Sequence, residues 1–155
     1  MNINIVLFQP EIPHNTGAIG RTCVLTNCTL HLVKPLGFEI NEKAVRRAGL
    51  DYWKDVKIEE HESYEDLRAK YPEANFYFCT TKGEKDYTQA RYEKGDFLVF
   101  GRESSGLPDY IRENNKDNCI RVPMVETTTR SLNLANTANI IVYEALRQLG
   151  FPGMK

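Results

Sequence analysis

The chain of 155 residues carries 20 Lys and Arg against 21 Asp and Glu, a formal net charge of −1, with 41% apolar and 26% charged residues. A chain of that length buries roughly 68–70% of the surface its unfolded form exposes, enough for a core without disulfide or metal staples. The composition excludes disordered and collagen-like classes, and the near-zero charge gives no global field to gather polyanions, so nucleic-acid contact must rest on local clusters of Lys and Arg.

Residues 3–8 form an apolar run with no basic stretch before it, cut at Gln9-Pro10. They read as a strand and not as a signal peptide, and no run approaches a membrane span. Residues 16–26 read as a helix with Ile19, Cys23 and Thr26 on one stripe and Asn15 as its cap. A strand at 30–33, a short helix at 41–48 and a strand at 56–60 follow. Residues 63–71 read as a helix opened by Ser63 and Asp66 in a capping-box spacing, before strands at 76–80 and 97–100. A short helix at 108–114, a strand at 119–122 and a long helix at 132–149, preceded by Ser131 and stopped by Gly150, complete the chain. Alternating strand and helix implies an α/β fold with a mostly parallel sheet and helices on both faces. With no repeat, low-complexity tract or linker, residues 1–155 read as a single domain.

Cys23, Cys28, Cys79 and Cys119 lack CxxC spacing, and His14, His31 and His61 have no second ligand type at zinc-site spacing, which predicts reduced thiols, a cytoplasmic setting and no metal. Gly17 and Gly20 do not form GxGxxG, GxxxxGK[ST] is absent, and Ser104-Ser105-Gly106 lacks the spacing of a nucleophile elbow. Rossmann, P-loop and hydrolase readings therefore lose weight. Three segments, 10–21, 100–108 and 122–136, are denser in Gly, Pro, Asn and Arg than connections require. Two follow the carboxyl end of a predicted strand, where open α/β sheets bind ligands.

These segments carry a resemblance. Pro10-Glu11-Ile12-Pro13 with Asn15-Thr16-Gly17 and Gly20-Arg21, then Leu98-Val99-Phe100-Gly101-Arg102-Glu103 with Gly106-Leu107-Pro108, then Ile120-Arg121-Val122-Pro123-Met124 with Ser131-Leu132-Asn133-Leu134 are similar to the SPOUT class of RNA 2′-O-methyltransferases. Arg46-Arg47-Ala48-Gly49-Leu50-Asp51-Tyr52 and the minimal length narrow it to the tRNA wobble-position 2′-O-ribose methyltransferases. The resemblance implies a SPOUT fold with a C-terminal trefoil knot, against the general rule that chains do not thread loops. It also implies S-adenosylmethionine as cofactor and S-adenosylhomocysteine as product, bound by Cys79, Thr80, Gly101, Glu103, Gly106, Val122, Met124, Ser131, Leu132 and Asn133. Taken alone, Val122 and Leu132 read as core packing and Cys79 as buried filler.

Arg21 alone reads as a surface arginine paired with a carboxylate. The resemblance makes Arg21 and Asn15 the catalytic residues, reached by RNA past the side-chain-free Gly17 and Gly20. A guanidinium stays protonated, which suits orientation and alkoxide stabilisation better than proton removal. Arg46, Arg47 and Arg130 are assigned to a groove for the tRNA anticodon arm, and Tyr143 to the interface of a homodimer. The implied activity is methylation of the 2′-hydroxyl of a wobble cytidine or modified uridine, in leucine tRNAs. The alternative is a non-catalytic RNA- or nucleotide-binding module of the same fold.

Overall fold

The computed structural model describes residues 1–41, 43, 47 and 50–155. Within them the chain runs β1 (Asn4–Phe8), α1 (Pro13–Thr26), β2 (Thr29–Val33), a 3-10 segment (Leu50–Asp55), β3 (Lys57–His61), α2 (Tyr64–Lys70), β4 (Phe76–Cys79), β5 (Lys85–Asp86), β6 (Phe97–Phe100), α3 (Asp109–Glu113), β7 (Cys119–Arg121) and α4 (Leu134–Gln148). The helix expected at 41–48 falls largely outside the described residues. The six expected strands are present within a residue or so of their predicted ends, and β5 is a two-residue addition whose polar Lys85-Asp86 carries no strand pattern.

The seven strands form one sheet in the order β3-β2-β1-β6-β4-β7-β5, with parallel pairing throughout. Period-2 alternation sorts its side chains into two cores. Ile5 and Leu7 of β1 join Leu98 and Phe100 of β6 under Ile19 of α1 and Ile141 and Val142 of α4. Val6 and Phe8 join Phe97 and Val99 on the other face, against Tyr64 and Leu67 of α2 and Ile111 of α3. Because β1 feeds β2 on one side and lies beside β6 on the other, the connections diverge at the β1/β6 boundary. That boundary is where an open sheet leaves a crevice beyond its carboxyl ends.

Helix ends differ from the predicted caps in two places. α1 begins at Pro13 after the N-cap residue Ile12, which makes no side-chain cap bond, so Asn15 is the third residue of the helix and not its cap. Proline suits the first position, where its missing N–H costs nothing. At α4 the cap is Asn133, whose side chain accepts from the Asn136 N–H at 3.1 Å, in place of the expected Ser131. Ser63 caps α2 as expected, accepting from the Asp66 N–H at 3.0 Å.

Gly20 also has a different use from the expected one. A β-carbon there would lie 2.6 Å from Cζ3 of Trp53, so the position lets α1 close on the 3-10 segment and does not open a path for RNA. Gly17 is buried in the same helix.

α4 ends as expected at Gly150, in a Schellman arrangement. The Gly150 N–H donates to the Arg147 carbonyl at 3.1 Å and the Phe151 N–H to the Leu146 carbonyl at 2.8 Å, with Gly150 at φ +78°. A β-carbon at Gly150 would meet nothing within 4 Å, so only backbone strain opposes a side chain there. Gly150→Ala is therefore expected to lower unfolding free energy by about 1 kcal/mol, read from denaturant melts with unchanged m-value.

Candidate active site

The loop after β6 is built for a tight reversal. The Arg102 N–H donates to the Gly106 carbonyl at 3.2 Å and the Gly106 N–H to the Arg102 carbonyl at 2.9 Å, with Gly106 at φ +69°. Residues 103–105 are thereby thrust outward, and Glu103 is aimed at the start of α1. Its carboxylate accepts from the backbone N–H groups of Glu11 at 3.0 Å and Ile12 at 2.8 Å and from the Asn15 amide at 3.4 Å. An acid at the positive end of a helix is favourably placed, and this one supplies the cap that Ile12 cannot. The contact is reciprocated, because Glu11 accepts from the Ser104 N–H at 2.9 Å and the Ser104 hydroxyl at 2.8 Å. Those two bonds hold the exposed Glu11 carboxyl below its usual range.

Asn15 extends the clasp to the third segment. Buried inside α1, it accepts at its Oδ1 from the Asn133 amide at 3.0 Å while its own amide faces Glu103. One helix-interior asparagine thus joins the loop after β6 to the cap of α4. Thr22 continues the seam, its hydroxyl donating to Asn139 Oδ1 at 2.6 Å.

Beyond the carboxyl ends of β4, β6 and β7 the clasped segments enclose a cavity of about 490 Å³. That volume lies in the range of about 300–1,000 Å³ usual for small-ligand sites. Cys79, Thr80, Gly101, Glu103, Gly106, Val122, Met124, Ser131, Leu132 and Asn133 all line it, and so does Asn15. Burial pushes the Cys79 thiol well up, so it stays protonated. The segment 123–133, which reaches the cavity through Met124, Ser131, Leu132 and Asn133, is exposed along its length, with Val125 at 72% and Leu132 at 42% of full exposure.

Four cationic residues that sequence reasoning did not assign to the cofactor site also line the cavity: Lys82, Arg102, Arg112 and Arg121. Arg112 is paired with Asp109 and Arg121 with Asp86. The Arg102 guanidinium lies 5.2 Å from the Phe8 ring centroid and donates to the Ser105 hydroxyl at 3.4 Å. Its place inside the Gly101–Glu103 motif is the signal that could have singled it out.

The remaining assigned residues stand apart from the cavity of their own chain. Arg21 is exposed on α1 and does not line it; Arg47 and Arg130 are exposed elsewhere, and Arg46 lies outside the described residues. Tyr143 is 42% exposed on the outer face of α4.

At Gly101 a β-carbon would stand 2.3 Å from the Gly106 carbonyl carbon and 2.4 Å from the Leu107 nitrogen, so the two ends of the loop touch backbone to backbone. Gly101→Val must force that loop open. It is expected to lower the melting temperature and to abolish the stabilisation that S-adenosylhomocysteine gives the parent protein, both read in one thermal-shift series. A variant with parental stability and ligand response would contradict the packing.

Comparison with known proteins bears on the same segments. A Saccharophagus degradans protein named tRNA (cytidine(34)-2′-O)-methyltransferase is 47% identical, over 98% of this chain and 99% of its own length. A Bacillus subtilis (strain 168) protein that bears the name provisionally is 51% identical, over 99% of this chain and 97% of its own. A solved structure described as giving "structural insights into the 2-OH methylation of C/U34 on tRNA" superposes with a TM-score of 0.90 at 38% identity, covering 96% of each chain. The model of the SpoU rRNA methylase family matches residues 2–143, a span that takes in all three clasped segments, and the chain belongs to that family.

Proposed function

We infer that the protein is an S-adenosylmethionine-dependent methyltransferase acting on the ribose 2′-oxygen of nucleotide 34, cytidine or modified uridine, in tRNA. One observation carries the reading: 51% and 47% identity, over nearly whole chains, to proteins named for that reaction. The cavity is suited to such a cofactor. The place of a side chain at Gly106 is open space, and Val122, Met124 and Leu132 offer apolar surface.

When bound, S-adenosylmethionine supplies a methyl group already activated by its sulfonium. The protein must orient the 2′-hydroxyl and accommodate the charge left as its proton departs. Glu103 is no base for that proton, because both its oxygens are engaged by the start of α1. It anchors the loop instead. Arg21 orients the hydroxyl and stabilises the developing alkoxide, and the proton passes to a substrate phosphate or water.

Arg21 lies outside the cavity of its own chain, so this role requires a second copy. A two-fold dimer on the outer faces of α1 and α4, where Leu25 is 65%, Tyr143 42% and Ile140 36% exposed, carries Arg21 of one protomer to the cavity of its partner. Arg46, Arg47 and Arg130 then flank a groove for the anticodon arm. The reading includes the trefoil knot, supported by the exposed return from β7 to α4 sharing its cavity with the Gly101–Leu107 loop. No helix among the described residues is long and apolar enough to cross a membrane, in keeping with work on cytoplasmic tRNA.

The test supplies labelled S-adenosylmethionine and bulk tRNA from cells lacking the gene, then digests the product and identifies the labelled nucleoside, with purified leucine isoacceptors as a separate arm. Label in 2′-O-methylcytidine or a 2′-O-methylated uridine at position 34 is expected; label on a base, or none, overturns the reading. Arg21→Ala is expected to lower kcat by about 100-fold or more, the cost of one transition-state contact, with S-adenosylhomocysteine affinity retained in calorimetry.

A further inference from the structure

Parallel pairing of β2 with β3 sets His31 opposite Glu59 and Val33 opposite His61. By the period-2 rule the three polar side chains share one face of the sheet, the face that α2 covers. His31 and His61 are 30 positions apart, so their spacing gives no zinc signature, yet one donor atom from each of the three residues lies within 4.8 Å of the others.

The hydrogen bonds fix which nitrogen is free. The Asn4 amide donates to the Gly95 carbonyl at 3.0 Å, which turns Asn4 Oδ1 toward His31 Nε2 at 2.8 Å. His31 therefore carries its proton on Nε2 and presents the Nδ1 lone pair to the His61 Nε2–H at 2.9 Å. A histidine whose remote N–H is held by an oxygen while its other nitrogen points into a cluster has the arrangement of a metal ligand.

We propose that His31, Glu59 and His61 form a binding site for a divalent transition-metal ion of the zinc class, held by two imidazoles and one carboxylate. Bonds of about 2.0–2.2 Å place tetrahedral donors about 3.4 Å apart. The pairs here stand at 2.9 Å for the two rings and 3.8 Å for His61 and Glu59, with all three donors within 4.8 Å of one another, so the carboxylate closes on His31 as the ion enters. On ion binding the His61 proton moves from Nε2 to Nδ1, so no proton leaves. Without the ion, the Lys70 ammonium holds the cation's place, 2.6 Å from Glu59 Oε1, and its 57% exposed side chain can swing into solvent. The Tyr71 hydroxyl, 2.7 Å from both Glu59 oxygens, keeps the carboxylate oriented. None of these residues lines the cavity at the ends of β4, β6 and β7, so the site is separate from methyl transfer.

The test uses the full chain freed of metal by chelation, with Co²⁺ as spectroscopic probe and Zn²⁺ in thermal-shift and calorimetric titrations. One Co²⁺ per chain with the visible absorption of a tetrahedral nitrogen–oxygen site is expected, along with a rise in melting temperature on adding Zn²⁺ and none with Mg²⁺. Glu59→Gln, at the half-buried rim, should weaken Zn²⁺ at least tenfold while methyl transfer is unchanged, and His61→Gln should remove the Co²⁺ spectrum. No spectrum and no thermal shift in the parent protein overturns the proposal. So does undiminished binding in Glu59→Gln, which keeps the test valid should His61→Gln not fold.

Discussion

The contact on which the site depends is an acid capping a helix from across the sheet. α1 starts at a proline behind an N-cap that has no polar side chain, which leaves amides at its mouth without a local acceptor. Glu103 satisfies them, and since it comes from the loop after β6 its bonds hold two distant parts of the chain together. Asn15 adds a third part by accepting from Asn133, itself the cap of α4. The segments that enclose the cavity are therefore held through helix ends, where backbone groups must be satisfied in any case.

The sheet supplies the platform for this arrangement. With both faces covered, β4 and β6 at the middle of the sheet are apolar or aromatic along their length, and the loops at the carboxyl ends carry the polar side chains of the cavity. The cavity opens there, and Met124, Ser131, Leu132 and Asn133, all exposed, are the part of its lining with the least protein behind it. Arg21 and Tyr143 sit on outer helix faces at some remove from it, which is why the catalytic reading needs a second subunit.

Much of this is legible in the residues. Short β-branched and aromatic runs gave the strands because fully buried parallel strands leave little else to choose from, and the three loop motifs converge on one cavity. What escaped has physical causes. β5 is made by pairing alone, with no apolar pattern to announce it. Asn15 has the residue type of a cap, yet its partners lie 88 and 118 positions away, and no local rule relates them. Gly20 suggested an opening, whereas the neighbour that needs its missing side chain is Trp53. His31 and His61 are brought together only by strand register.

The clasp itself is tested most directly by calorimetric titration of S-adenosylhomocysteine into the parent protein and into Asn15→Ala. Losing the bridge between Glu103 and Asn133 removes two part-buried side-chain hydrogen bonds, worth about 0.5–1.5 kcal/mol each, so ligand affinity should fall by about tenfold while the helical circular dichroism is kept. Parental affinity in Asn15→Ala would show that the cavity holds its shape without the clasp, and would contradict the account.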